Sequence, residues 1–195
     1  MDYLLVLYYS SGGTTKQLAQ LIARGIEQQG VEAIIRTVPR VSPNNEACEH
    51  AVPTEGDCYA SQDELSGCMG LAVGSPTRFG NMAAPLKYFI DQTSDIWMSG
   101  RLAGKPVSFF SSSSSLHGGQ ESTLLSMMIP FFHHGMLVSG IPYSETKLLH
   151  TRSGGTPYGV THWAGHENDN AISDAEKELA IAQGKRLATL AIKLK

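Results

Sequence analysis

Residues 3–16 read Tyr3-Leu4-Leu5-Val6-Leu7-Tyr8-Tyr9-Ser10-Ser11-Gly12-Gly13-Thr14-Thr15-Lys16, and this stretch decides the fold. Near-continuous apolar character from Tyr3 to Tyr8 predicts a strand buried on both faces, as in a parallel sheet. A hydroxyl- and glycine-rich turn follows at once. Leu18, Leu21, Ile22 and Ile26 then recur at helical spacing, with Thr14 or Thr15 placed to cap the helix. A strand that turns directly into a helix leaves several backbone N–H groups aimed at one spot, where the helix dipole adds positive character. Ser10, Ser11, Thr14 and Thr15 ring that spot with neutral hydroxyls. The stretch reads as a phosphate cradle. An ordinary polar βα turn has the same composition; the buried strand before it and the helix after it weigh toward phosphate. Neither G-x-x-x-x-G-K-[ST] nor G-x-G-x-x-G occurs in the chain, so a single phosphate held without a dedicated cation is expected.

Composition narrows the class. A length of 195 residues suits one ordinary domain, here with long insertions at about 39–66 and 141–171. A net charge of -3 without a Lys/Arg-rich run argues against nucleic acid as a partner. No apolar run approaches the roughly 20 residues that cross a membrane. The chain goes straight into a core strand with no room for a signal peptide, so a cytoplasmic location is expected. Three cysteines (Cys48, Cys58 and Cys68) at wide spacing fit reduced thiols better than a disulfide framework. Cys48, His50 and Cys58 lack a C-x-x-C pair, so no metal site is expected.

Further along, Val31 to Val38 reads as a second strand, and Met69 to Gly74 as a third ending in Ser75-Pro76-Thr77-Arg78-Phe79-Gly80-Asn81-Met82. Between them, residues 39–66 carry six acids against one Arg and read as a surface excursion, with at most a short helix around Gln62–Leu65. A helix with Leu86, Phe89 and Ile90 on one face comes next. Pro106 to Phe110 is a fourth strand running into the serine-rich loop 111–119, and a helix follows from about Gln120 to Phe132. Leu137 to Ser139 is the fifth strand, and 141–171 reads as irregular. Ser173-Asp174-Ala175-Glu176 is a capping box that opens a last helix with Leu179, Ala182, Leu187, Leu190 and Ala191 inward. Five strand–helix alternations mean a parallel α/β sheet with helices on both faces. Ligands of such sheets sit at the carboxyl ends of the strands, beside the point where strand order reverses. Loops 10–15, 75–82 and 111–119 converge there, which points to a mononucleotide site.

Several motifs in order along the whole chain carry a family resemblance: Val6-Leu7-Tyr8-Tyr9-Ser10, Pro76-Thr77-Arg78-Phe79-Gly80-Asn81-Met82, Asp91-Gln92-Thr93, Gly118-Gly119-Gln120-Glu121, His133-His134-Gly135-Met136 and Gly154-Gly155-Thr156-Pro157-Tyr158-Gly159. With them the chain resembles the WrbA-type NAD(P)H:quinone oxidoreductases, tetrameric FMN proteins of the flavodoxin-like fold. The resemblance implies a three-layer sandwich with strand order 2-1-3-4-5 and two-electron, ping-pong reduction of quinones by NAD(P)H. It implies that Ser10, Ser11, Gly12, Gly13, Thr14 and Thr15 hold the FMN phosphate. By the same resemblance Pro76, Thr77, Arg78, Phe79 and Gly80 meet the flavin ring, as do Ser112, Ser113, Ser114, Ser115, Leu116 and His117. His133 is similar to the family's histidine beside the flavin and Trp97 to its aromatic residue over the quinone pocket. Tyr143 and residues 154–159 are expected to reach the site too, from their own or a neighbouring subunit.

Two departures stand out. Gly12 replaces an aromatic residue the family often uses toward nicotinamide, and Ser113–Ser115 followed by Leu116 replaces a Ser-Thr-Gly-Thr-like loop. Serine keeps the hydroxyl donors but not the freedom of glycine at positive φ, so a different loop geometry is expected. Hydride from NAD(P)H followed by quinone in one slot gives ping-pong kinetics, and Arg78 with backbone N–H groups is the candidate stabiliser of reduced flavin. As a helix-end histidine, His133 also has a simple dipole-pairing explanation, and Trp97 and Phe79 could serve only as packing aromatics. The rival functions are a flavodoxin-like electron carrier and a non-catalytic regulatory binding protein.

Overall fold

The computed structural model describes residues 2–42 and 52–195. Strand β1 (Tyr3–Tyr8) is the centre of the protein. Its alternate side chains enter two different cores: Leu4, Val6 and Tyr8 on one side, Leu5 and Leu7 on the other. That split is what the unbroken apolar run anticipates for a strand covered on both faces. Helix α1 (Thr14–Glu27) packs on the first side, and β2 (Glu32–Thr37) lies parallel to β1. The short α2 (Gln62–Gly67) falls where the 39–66 excursion was expected to hold one, opened by a capping box between Ser61 and Glu64.

β3 (Gly70–Arg78) pairs with the other side of β1, so strand order reverses between β1 and β3. It turns through Phe79 and Gly80 into the two-residue β4 (Asn81–Met82), then α3 (Ala84–Asp91) and α4 (Ser94–Met98). β5 (Pro106–Ser113), α5 (Gln120–His133) and β6 (Leu137–Val138) follow. The sheet order is β2-β1-β3-β5-β6, which is the expected 2-1-3-4-5 when the parallel strands are counted in sequence. The chain then forms α6 (Lys147–His150), β7 (Val160–Trp163) and the long α7 (Asp174–Leu194).

Three local expectations are corrected. Thr14 and Thr15 do not cap α1: the cap is Gly13, at φ 89°, and its N–H donates to Ser10 Oγ at 3.0 Å. Both threonines are buried in the first helical turn with their hydroxyls facing elsewhere. β3 and β5 also run further than their apolar segments, because Ser75 and Pro76 stay in register with Ser111 and Ser112. Residues 111–113 are therefore strand and not loop. Lastly, 141–171 is not wholly irregular. β7 pairs with Phe110–Ser113 at the top of β5, while β6 pairs with Pro106 and Val107 at its foot. The outer edge is thus one strand position filled by two separate pieces.

Helix α7 buries Leu179, Leu187 and Ala191 as expected, whereas Ala182 and Leu190 lie half-buried on its flank. Gln183 and Gly184 take the inward positions between them. Gln183 accepts from Val160 N at 2.8 Å and donates to Phe109 O at 2.9 Å, so a buried amide fastens β7 to β5. Gly184 lets α7 approach α1 so closely that an added methyl would meet the Ile22 carbonyl, and Gly25 faces the Ile181 carbonyl in the same way. Backbone cannot yield as a side chain would. Gly184→Ala is expected to cost about 1–3 kcal/mol of stability, read as a lower urea midpoint at unchanged slope.

Candidate functional site

The carboxyl ends of β1, β3, β5 and β7 surround a cavity of about 260 Å³. Its walls are Ser11, Gly12, Thr14 and Thr15; Pro76, Thr77 and Arg78; Ser112, Ser113 and Ser114; and Ala164, Gly165, His166 and Asn168. It sits at the switch point, where an open α/β sheet exposes the ends of two diverging strands. The N-terminus of α1 opens on it, so the unpaired N–H groups of the first helical turn face inward. Thr15 Oγ1 and Ser112 Oγ lie 2.8 Å apart, linking the first loop to β5 through two buried hydroxyls. Arg78 donates to Thr77 O at 2.8 Å and to Ser11 Oγ at 3.0 Å, bridging the β1 and β3 loops. Lys16 points away toward Asp57, 3.8 Å off on the outer flank. Amides and hydroxyls therefore dominate the floor, with Arg78 at the rim.

Beyond the cavity, Phe79 projects fully exposed from the β3–β4 turn at φ 52°. A bulky residue in the left-handed region, presented to solvent, is a strained placement that packing does not require. Gly80 at that tip abuts Gly119, and Thr77 donates to the Gly119 carbonyl at 3.3 Å and also meets Thr123 Oγ1. Ser114, Ser115, Leu116 and His117 form the exposed turn that follows β5. Ser113 pins this turn by donating to Ser115 O at 2.8 Å and accepting from Gln120 Nε2 at 2.8 Å. Pro76, Thr77, Arg78 and Ser112 to Ser114 share the cavity with Ser11, Gly12, Thr14 and Thr15, whereas Phe79, Gly80, Ser115, Leu116 and His117 are outside its lining and Ser10 and Gly13 border the neighbouring recess.

Trp97 and His133 are not brought there within one chain. Trp97 Nε1 donates to the His133 carbonyl at 2.9 Å, so the two do meet each other. α5 begins above the carboxyl edge and, at 14 residues, runs roughly 21 Å to the opposite edge, beside β6 and the first residue of β5. There His133, Trp97, Asp91 and His134 border a separate recess of about 240 Å³. Burial, reinforced by His133, lowers the His134 pKa, and its Nε2 pairs with Thr93 Oγ1 at 2.9 Å.

The residues missed by sequence reading are Ala164, Gly165, His166 and Asn168. Their signal was the β-prone Val160-Thr161-His162-Trp163 bracketed by Gly159 and Gly165. Beneath them lies a buried polar cluster. Glu176, 0% exposed, accepts from Gly154 N and Ser173 N, both at 2.7 Å, and faces His162 Nδ1 at 3.1 Å. Burial works against its charge, but the His162 and Ser173 hydrogen bonds outweigh it and hold the carboxyl below its usual range. Burial pushes the Cys68 thiol up to about 11, which leaves it an inert core group, and Cys58 is exposed. Among the described residues no grouping of His, Cys, Asp or Glu could hold a metal ion. Cys48 and His50 lie outside the described residues. Among the described residues no helix is long and apolar enough to cross a membrane.

A family model for NADPH-dependent FMN reductases matches residues 4–145, a span that includes β1, the switch point and all three sequence-predicted loops. This chain belongs to that family. The fold is flavodoxin-like, and the same architecture recurs in a structure described as a flavodoxin, WrbA-like protein, from Agrobacterium tumefaciens, at 22% identity, TM-score 0.70 and full coverage of both chains. A flavodoxin from the domain Archaea aligns at 20% identity and TM-score 0.64, covering 97% of this chain and 99% of that one. Flavodoxin 1 from Bacillus cereus aligns at 16% identity and TM-score 0.61, over 96% and 98% of the two chains.

FMN is the cofactor of this family member, and the cavity suits it. The floor offers a helix N-terminus and paired hydroxyls to one terminal phosphate, and no lysine lines it. Thr77, Arg78 and Ser113 line the same cavity, and Phe79 follows Arg78 on the exposed β3–β4 turn.

Proposed function

We propose that this FMN reductase family member is a cytoplasmic NAD(P)H:quinone oxidoreductase of the WrbA type, working as a homotetramer by a ping-pong cycle. The observation that carries this reading is Phe79, an aromatic ring held out at a strained, solvent-facing tip beside the cofactor cavity. A planar acceptor stacks on such a face. Bound FMN supplies the two-electron chemistry. The chain's own part is binding and orientation. Thr15, Ser112 and the α1 amides hold the phosphate. Arg78 would bring its positive charge to the flavin site, and Phe79 would form one wall of the slot for nicotinamide and quinone.

Oligomer formation is supported by an apolar stripe. Leu125, Ile129 and Phe132 share the exposed face of α5, with Trp97 and Met98 of α4 beside its end. A second copy docked on this face is the route by which Trp97 and His133 reach a flavin, since they lie far from the cavity of their own chain. His133 would then donate to a quinone oxygen and deliver a proton. The reduced thiols expected of the cysteines fit a reducing compartment.

The test is anaerobic stopped-flow reduction of the FMN-loaded protein by NADH and by NADPH, followed by a benzoquinone chase. Rapid two-electron reoxidation is expected. His133→Ala should slow the chase at least tenfold while FMN stays bound. Reoxidation no faster than that of free reduced FMN would remove the quinone assignment and leave the electron carrier.

A further inference from the structure

Residues 165–169 form a small projecting loop whose neck is tied shut. Ala164 N donates to Ser113 O at 2.8 Å, and Asn170 N donates to Ala164 O at 3.0 Å. Below the neck, His162 directs Nδ1 at Glu176 Oε2 and Nε2 at the Asn170 carbonyl, 3.2 Å away. Both ring nitrogens are therefore engaged, one by a carboxylate and one by a backbone carbonyl. With His162 1% exposed and Glu176 0% exposed, the base of the loop is fixed in the core. Its tip, by contrast, is in water. Asn168 reaches across the cavity rim and donates from Nδ2 to the Gly12 carbonyl at 2.7 Å.

Two further features show that the tip is fitted to this contact. Asn168 has φ 59°, a left-handed conformation that Asn tolerates better than most side chains. A Cβ on Gly12 would stand 2.9 Å from Asn168 Oδ1, so an alanine there would push the Asn168 amide aside. The first loop and the 165–169 loop are otherwise separate walls of one compartment, and this exposed hydrogen bond joins them.

We propose that residues 165–169 are a strap over the phosphate compartment, latched by Asn168 to Gly12 and anchored on the His162–Glu176 pair, and that its opening sets the rate at which FMN leaves. The inference rests on the reading that this cavity holds the FMN phosphate. The fixed neck confines opening to the tip, where among the described residues the solvent-exposed Asn168–Gly12 hydrogen bond is the one that must break. Asn168 is a positioning residue in this scheme and takes no part in electron transfer.

The experiment measures release of FMN, and of riboflavin, from the loaded protein by recovery of flavin fluorescence on dilution. Asn168→Gly keeps the left-handed backbone and deletes the latch; Asn168→Asp keeps the size and turns an oxygen toward the Gly12 carbonyl. FMN release from Asn168→Gly should be roughly five- to tenfold faster than from wild type, and from Asn168→Asp faster still. Riboflavin, which has no phosphate to be held, should leave all three proteins at one rate. Gly12→Ala should also speed FMN release, but add little in the Asn168→Gly background, because both break the same contact. Wild-type release from both Asn168 variants overturns the strap, as does equal acceleration of riboflavin. Thr15→Val separates the strap from the reading beneath it. If Thr15→Val weakens FMN binding while Asn168→Gly is inert, the strap alone fails; if Thr15→Val has no effect either, the phosphate site and the strap fall together.

Discussion

Glu176→Ala should lower the unfolding free energy of the apoprotein by about 3–5 kcal/mol, because it strands several buried hydrogen-bond partners at about 1–3 kcal/mol each. Against a typical total of about 5–15 kcal/mol, this is the largest effect expected of any single substitution here. Glu176 holds four places at once: the Gly154 loop, the β7 histidine, the Ser173 cap and the first turn of α7. Its removal leaves Gly154 N–H, Ser173 N–H and the Nδ1 side of the His162 ring without their partner. The sign of the pH dependence follows from the depressed folded-state carboxyl. The unfolded chain titrates in the ordinary carboxylate range, so the stabilisation is complete above that range and is lost as pH falls through the lower folded-state value. Urea midpoints of wild type should therefore decline on acidification below about pH 4, and Glu176→Ala should lack that component of the decline. An unchanged midpoint at neutral pH would show that the pair contributes no net stability.

Thr15→Val should weaken FMN binding about ten- to hundredfold. The side chain keeps its shape and its β-branch, so α1 should form as before. The hydroxyl is lost from a buried position next to Ser112 Oγ, at the floor of the phosphate compartment. A hydrogen bond to a charged group contributes about 1.5–3 kcal/mol, and the substitution also leaves Ser112 without this partner. Fluorescence titration of apoprotein with FMN measures the change, and riboflavin provides the control without phosphate. Equal affinities for wild type and Thr15→Val would place the phosphate elsewhere.

The parts of this structure legible in the sequence are those specified locally. Tyr3–Tyr8 announces itself as a doubly covered strand through unbroken apolarity, and Ser173 with Glu176 announces a helix start through a reciprocal cap. The convergence of three loops at the switch point follows from strand–helix alternation alone. What escaped depends on partners distant in sequence. Ser111 to Ser113 look like loop residues, yet they are strand because β3 on one side and β7 on the other accept their backbone. β7 itself is only four residues long and is held by β5 and by Gln183. Thr14 and Thr15 look like caps, but Gly13 adopts the capping position and frees their hydroxyls for the cavity. Resemblance marked Trp97 and His133 as site residues without saying where they lie, and the fold puts them at the far edge of their own chain.

The divided outer edge of the sheet carries a consequence for how such proteins diversify. Residues 139–159 leave from β6 and return at β7, both hydrogen-bonded to β5, and Ile141 N meets Pro157 O at 3.0 Å where the segment departs and re-enters. Between that stitch and the Gly154–Glu176 hydrogen bond, the tip of the detour can be lengthened or trimmed at small entropic expense. Half-exposed Tyr143 and Leu149 sit on that detour. Surface substitutions at those two positions leave the lining of the flavin cavity untouched.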